Sequence, residues 1–225
     1  KIGDSKVFPE DADRQIMAIV KRLASQSLEG LGSIEAIAKA KGELFDGAQP
    51  GDICCVNLDD PYVSQLPIPQ GTKIIGFGRH PDSVVRLVDA HVDPESLNTH
   101  FTVEANGQQV SGMVPNPGLH MALNAISALA VGIALNIPLE SMVRRIATYE
   151  PVGMRLRLEN GPGGIKVIND AYNANPMSVE ANLRMLAAIP ASNACRRVAL
   201  LGDMLELGPT EIEQHRDTAN LASSL

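Results

Sequence analysis

The chain has 225 residues, enough for one large domain or two modest ones at roughly 100–200 residues per domain. Its formal net charge is −7 and no Lys/Arg run is longer than two, which argues against a nucleic-acid binder with a basic face. No apolar run reaches the roughly 18 residues of a membrane span, because Asn124, Ser127 and Asn136 interrupt the longest candidate, and the first residues do not read as a signal peptide. Aromatic residues make up only 3% and Trp is absent, so a core must be built from Ala, Val, Ile, Leu and Met. Cys54 and Cys55 are adjacent and poorly placed for an ordinary disulfide, Cys195 stands alone, and the His residues show no metal-ligand spacing with them. A reducing compartment is expected.

In chain order, residues 14–24 suggest a short amphipathic helix, and the rest of 1–27 has no assignment. Residues 33–46 read as a helix with Ser33 as N-cap, Glu35 at the positive end and Gly47 as terminator. Its apolar face runs through Ile34, Ile37, Ala38 and Phe45, and Lys41 falls on the same face. Strands are predicted at 53–57, 73–77, 84–90 and 100–105, and Asn106-Gly107 is a hairpin turn into QQVSGMV. Residues 119–135 form a helix that is apolar nearly all round and hence buried, and a second helix, 139–148, follows Pro138.

The pattern changes near residue 150, where a domain boundary is expected: 1–150 and 151–225. MRLRLE and IKVIND are two strands joined by a Gly-Pro-Gly-Gly turn. Asn175-Pro176 opens a helix with an N-cap and a proline at its first position. RRVALLGD is the next predicted strand and 210–224 the next helix, so this half is expected to hold a parallel α/β sheet. Ligands of open α/β sheets bind at the carboxyl ends of strands, which draws attention to INDAYNANP at 168–176. Asp170 can accept hydrogen bonds from a ribose, and Asn173 and Asn175 offer amide donors beside a helix N-terminus.

INDAYNANP closely resembles the motif that opens the C-terminal domain of MurF-type Mur ligases. Four further segments resemble that family in order and spacing: LEGLGSIEAIAKAKGELF (28–45), VNLDDPY (56–62), PGLHMALNAISALA (117–130) and LLGDMLELG (200–208), with His215 after it. The resemblance implies an α/β fold: a partial central ATP-binding domain, with 1–27 unmatched, followed by the start of a Rossmann-like C-terminal domain. It implies an ATP- and Mg2+-dependent ligase of peptidoglycan synthesis that joins D-Ala-D-Ala to UDP-MurNAc-tripeptide through an acyl phosphate. A cytoplasmic or plastid-stromal monomer is expected, with no nucleic-acid partner and no membrane insertion.

Site roles follow from the same resemblance. Lys41 matches the family lysine that is carbamylated and helps hold magnesium. Burial on an apolar helix face favours the neutral amine that can add carbon dioxide, whereas a lysine at the face edge would snorkel to water. His120 and Asn124 match residues beside the adenine, with helix packing as the alternative role. Met121 replaces a family Asn and removes one polar contact to the base. Arg155 matches a linker arginine that reaches the ATP phosphates, and Arg157 follows on the same strand face. Asp170 matches the ribose-contacting acid, and Asn173 and Asn175 are assigned to substrate. Asp203 and Glu206 face the incoming dipeptide amine or serve the turn. Asn57, Asp59 and Asp60 are expected to be structural.

No Gly-x-x-x-x-Gly-Lys-Thr/Ser phosphate loop occurs in the sequence, and Ser27 stands where the family has a His. The sequence is therefore expected to be a fragment that is inactive by itself. The competing expectation is a non-catalytic remnant or interaction protein on the same scaffold. Folylpolyglutamate synthases share the fold, but INDAYNANP and LGDMLELG argue against them.

Overall fold

The computed structural model describes residues 16–18, 33–151, 153–189 and 196–225. Its first region is built on six strands arranged in sequence order: β1 (Ile16–Ala18), β2 (Ile53–Asn57), β3 (Lys73–Gly78), β4 (Val85–Val92), β5 (Thr99–Ala105) and β6 (Gln108–Val114). The pairs from β1 to β4 are parallel and those from β4 to β6 antiparallel. Helix α1 (Ile34–Asp46) precedes β2, and the Ser33 hydroxyl caps it by accepting from the Ala36 N–H. Helices α2 (Leu119–Ala134) and α3 (Leu139–Ile146) follow β6.

Burial explains the strand sequences. All five residues of ICCVN are buried, as expected for a parallel strand covered on both faces. Cys55 faces α2 with Ile75, Phe77, Ile126 and Leu129, whereas Cys54 faces α1 with Ile37, Phe45 and Val56. The side-chain period of two thus sends the adjacent cysteines to opposite cores, and both are free. In β5 buried and half-buried residues alternate, because only one face is packed against helices. Phe101 lies across the sheet from Gly112, where an added Cβ would come within 2.6 Å of its ring.

The second region contains β7 (Arg157–Asn160), β8 (Lys166–Asn169), α4 (Pro176–Ala188) and α5 (Glu211–Ser224). Two expectations are corrected. Residues 16–18 of the anticipated 14–24 helix are strand, paired with 53–55, and the remainder of that stretch lies outside the described residues. Helical periodicity there is overridden by an edge of the sheet that accepts an extended apolar triplet. The second region also has no parallel sheet among its described residues. β7 and β8 pair antiparallel with each other, and residues 196–203 form no strand. Alternating apolar residues do not make a strand without a partner edge for the backbone N–H and C=O groups. Val198 is 67% and Leu200 95% exposed.

Candidate functional site

The carboxyl ends of β2 and β3 are tied together by the acids of VNLDDPY. Asp59 accepts from the backbone N–H groups of Arg79 and His80 at 2.8–2.9 Å, just beyond β3. Gly78 must lack a side chain there, since a Cβ would lie 2.5 Å from Asp59 Oδ1. Asp60 Oδ1 accepts from Tyr62 and Val63, and Asn57 Oδ1 accepts from Asp59. These residues shape the end of the sheet, as their turn chemistry predicts.

Gly118 (φ +119) starts α2, and the His120 ring folds back over it. Burial pushes the His120 imidazole below its usual proton affinity, and the Asp170 carboxylate partly pulls it back up. Asp170 follows β8, so this pair spans the two regions. Asp170 Oδ1 accepts from the Leu156 N–H at 3.0 Å and Oδ2 from Asn182 Nδ2 at 2.7 Å. The Arg155 guanidinium stacks on the Tyr172 ring at 3.9 Å. Arg155 and Arg157 do not share a strand face: Leu156 between them has φ +51, and β7 begins only at Arg157.

The structure thus gathers His120, Arg155 and Asp170 at one junction. Asn124 lies one turn further along α2, exposed, with its amide 3.9 Å from Met121 Sδ. Asn173 is exposed, and Asn175 uses its side-chain oxygen to cap α4 in a reciprocal pair with Ser178. Asp203 and Glu206 are exposed in a turn anchored by buried Met204 and Leu207. Lys41 is exposed although Ile37, Ala38, Gly42 and Phe45 of α1 are buried, so the burial expected to favour its neutral amine is not present. No hydrogen bond or ion pair among the described residues joins Lys41, Asp203 or Glu206 to the junction. Nor do three His, Cys, Asp or Glu groups converge as a metal site among the described residues.

Sequence reasoning missed Asn116, Leu156, Tyr172 and Asn182. Asn116 is 1% exposed and donates from Nδ2 to the Leu156 carbonyl at 2.8 Å. Its only local signal is a polar residue held between Pro115 and Pro117. His215, which follows LLGDMLELG, anchors that segment. Its Nε2 accepts from the Met204 N–H at 3.0 Å and its Nδ1 donates to the Glu211 carbonyl at 2.8 Å, which fixes the turn onto α5.

Comparison with known proteins agrees with this architecture. Residues 13–132 match the Mur ligase middle domain and 154–225 the Mur ligase glutamate ligase domain. The UDP-N-acetylmuramoyl-tripeptide–D-alanyl-D-alanine ligase of Bacillus subtilis is 32% identical over 206 residues, covering 92% of this chain and 43% of the relative. Its Escherichia coli counterpart is 32% identical over 193 residues, covering 85% of this chain and 41% of the relative. The chain therefore spans less than half the length of these relatives. A crystal structure of MurF from Acinetobacter baumannii superposes with TM-score 0.82 at 23% identity, over 93% of this chain and 44% of that one. MurF from Thermotoga maritima in complex with ADP gives 0.76 at 21% identity, over 93% and 47% respectively. With the middle-domain match alone covering more than half of the sequence, the chain belongs to the Mur ligase family.

Proposed function

We propose that the chain supplies the nucleotide-facing middle region and the start of the C-terminal region of an ATP-dependent ligase that joins D-Ala-D-Ala to UDP-MurNAc-tripeptide, with the regions dividing near residue 150. The observation that carries this reading is the joining of the two regions at Leu156, whose N–H donates to Asp170 and whose C=O accepts from Asn116, with Arg155 beside it. The shared name of the curated relatives supports the choice of substrates.

In this reading the tripeptide carboxylate attacks the γ-phosphorus of ATP and releases ADP. The amine of D-Ala-D-Ala then attacks the acyl carbon, and phosphate leaves to give the amide. Asp170 orients the ribose: each of its oxygens has one protein donor and a lone pair to spare. His120, neutral at pH 7, sits with Asn124 toward the base. Arg155 leaves Tyr172 for the phosphates, exchanging an exposed cation–π contact of about 0.5–1 kcal/mol for charge-assisted hydrogen bonds roughly twice as strong as neutral ones. Asp203, Glu206, Asn173 and the free amide of Asn175 face the dipeptide. Mg2+ would neutralise phosphate charge, and Lys41, if carbamylated, would add one anionic oxygen ligand. The protein is a cytoplasmic monomer in this reading, with the plastid stroma as the alternative location.

The chain by itself is expected to release no phosphate, because its sequence contains no Gly-Lys-Thr/Ser phosphate loop. The second reading is a non-catalytic scaffold. The test places the N-terminal half of the Bacillus subtilis relative ahead of this chain and measures D-Ala-D-Ala-dependent phosphate release with UDP-MurNAc-tripeptide and ATP. Turnover that drops roughly 10–100-fold in Asp170→Ala, the loss of one charged hydrogen bond, supports the ligase. A folded chimera that binds ADP but transfers no dipeptide favours the scaffold.

A further inference from the structure

The segment joining the two regions is gripped at one residue from both sides. The Leu156 N–H donates to Asp170 of the second region, and its C=O accepts from Asn116 of the first. Leu156 is 6% exposed with φ +51, a conformation that non-glycine residues seldom adopt unless their surroundings impose it. We propose that Asn116 is a positioning residue: with Asp170 it clamps Leu156 and so sets the direction in which Arg155 leaves the backbone. The consequence for the reaction rests on the ligase reading of Arg155; the clamp does not.

Three observations support the assignment. First, Asn116 is itself rigidly held. It sits between two prolines, its N–H donates to the Val114 carbonyl at 2.8 Å, and its own carbonyl accepts from the Thr99 hydroxyl at 2.6 Å. Second, its side-chain oxygen is buried without a hydrogen-bond partner. An amide half-satisfied in this way is a poor choice for local stability, since an apolar residue of similar size would avoid the orphan. The bond that justifies an amide here is the one to Leu156. Third, the left-handed turn at Leu156 ends the alternation that would put Arg155 and Arg157 on one face. Arg157 instead joins β7 beside Glu159, while Arg155 is turned onto Tyr172, whose N–H donates to the Met154 carbonyl at 3.1 Å.

The full chain can be tested by amide exchange and NMR, without nucleotide. Asn116→Leu removes the donor and the orphan together. It should speed exchange of the Leu156 amide about 2–10-fold, the loss of one net hydrogen bond. The ring-current shift of the Arg155 side-chain protons should collapse, while the unfolding midpoint of the first region stays level or rises. Asn116→Asp keeps the shape without the donor and should give the same linker response. Thr99→Val, which frees the Asn116 and Gly118 backbone carbonyls but keeps the Asn116 amide, should loosen Leu156 and Arg155 less than either Asn116 variant. Equal loosening by Thr99→Val, or unchanged Leu156 exchange in both Asn116 variants, overturns the proposal. Fast exchange of Leu156 in the unsubstituted chain sinks the clamp and leaves the ligase reading standing. An intact clamp in a chimera that transfers no dipeptide does the reverse.

Discussion

The two regions of this chain are held together by different means. The first has a six-stranded sheet with helices on both faces and two apolar clusters. In the second, the buried apolar residues among those described are Leu156, Leu183, Met185, Met204 and Leu207, and α5 buries none. A two-stranded hairpin with little core is marginal by itself. Its order comes instead from polar devices: the Asn175–Ser178 capping box, the two-armed Asp170 and the His215 bridge. The difference separates a scaffold fixed by packing from a region fixed by a few directional bonds, and it places the candidate site where they meet.

The most direct way to break this contrast is to cut equal holes in both. Phe101→Ala removes a ring that is 2% exposed and covers Gly112, and should cost about 3–5 kcal/mol in urea unfolding. Leu183→Ala in α4 should sit near the low end of its class, about 2 kcal/mol, because a thinly packed site collapses around the loss. Equal costs would show that the second region is packed as tightly as the first. Asp59→Ala should come next, at roughly 2 kcal/mol, since it strips the Arg79 and His80 N–H groups of a charged acceptor. Asp59→Asn should recover part of that in the same measurement.

The contrast also explains what could be read from sequence. β2 and β6 were bounded to the residue, and Asn106-Gly107 forms the hairpin with both residues at positive φ. The Asn175-Pro176 helix start was equally legible. Each depends on local stereochemistry or on a period of two against a large core. The failures depend on distant partners. β1 exists because β2 offers it an edge, and residues 196–203 lack one. Lys41 lies on the apolar side of α1 by angle, yet is exposed, because periodicity states which way a side chain points and not what covers it. At the site, His120, Arg155 and Asp170 were named from family resemblance. Asn116 and Asn182 were invisible, because their role lies in contacts 40 and 12 residues away in sequence.

A smaller effect sharpens the polar side of the comparison. His215→Leu deletes both the acceptor for Met204 and the donor to Glu211 while keeping bulk. About 1 kcal/mol should be lost. The loss should appear as faster exchange of the Met204 amide, with β2–β6 unaffected. Slower exchange, or a change spread evenly over the sheet, would count against a local anchor.

The smallest predicted effect is a pH dependence at the junction itself. His120 has a lower proton affinity in the folded chain than the usual value of about 6.5, chiefly through burial. As pH falls through that value the unfolded chain takes up a proton that the folded chain resists. The stability associated with neutral His120 is therefore complete above about pH 6.5 and is lost as pH drops toward the lower, folded value, below which nothing further is lost. Urea unfolding of His120→Gln should lack that component. Asp170 acts in the opposite sense by favouring the imidazolium, so Asp170→Asn should move the NMR titration of His120 further down. An upward move, or none, would mean that the carboxylate does not face the ring, and the junction between the two regions would have to be redrawn around Leu156 alone.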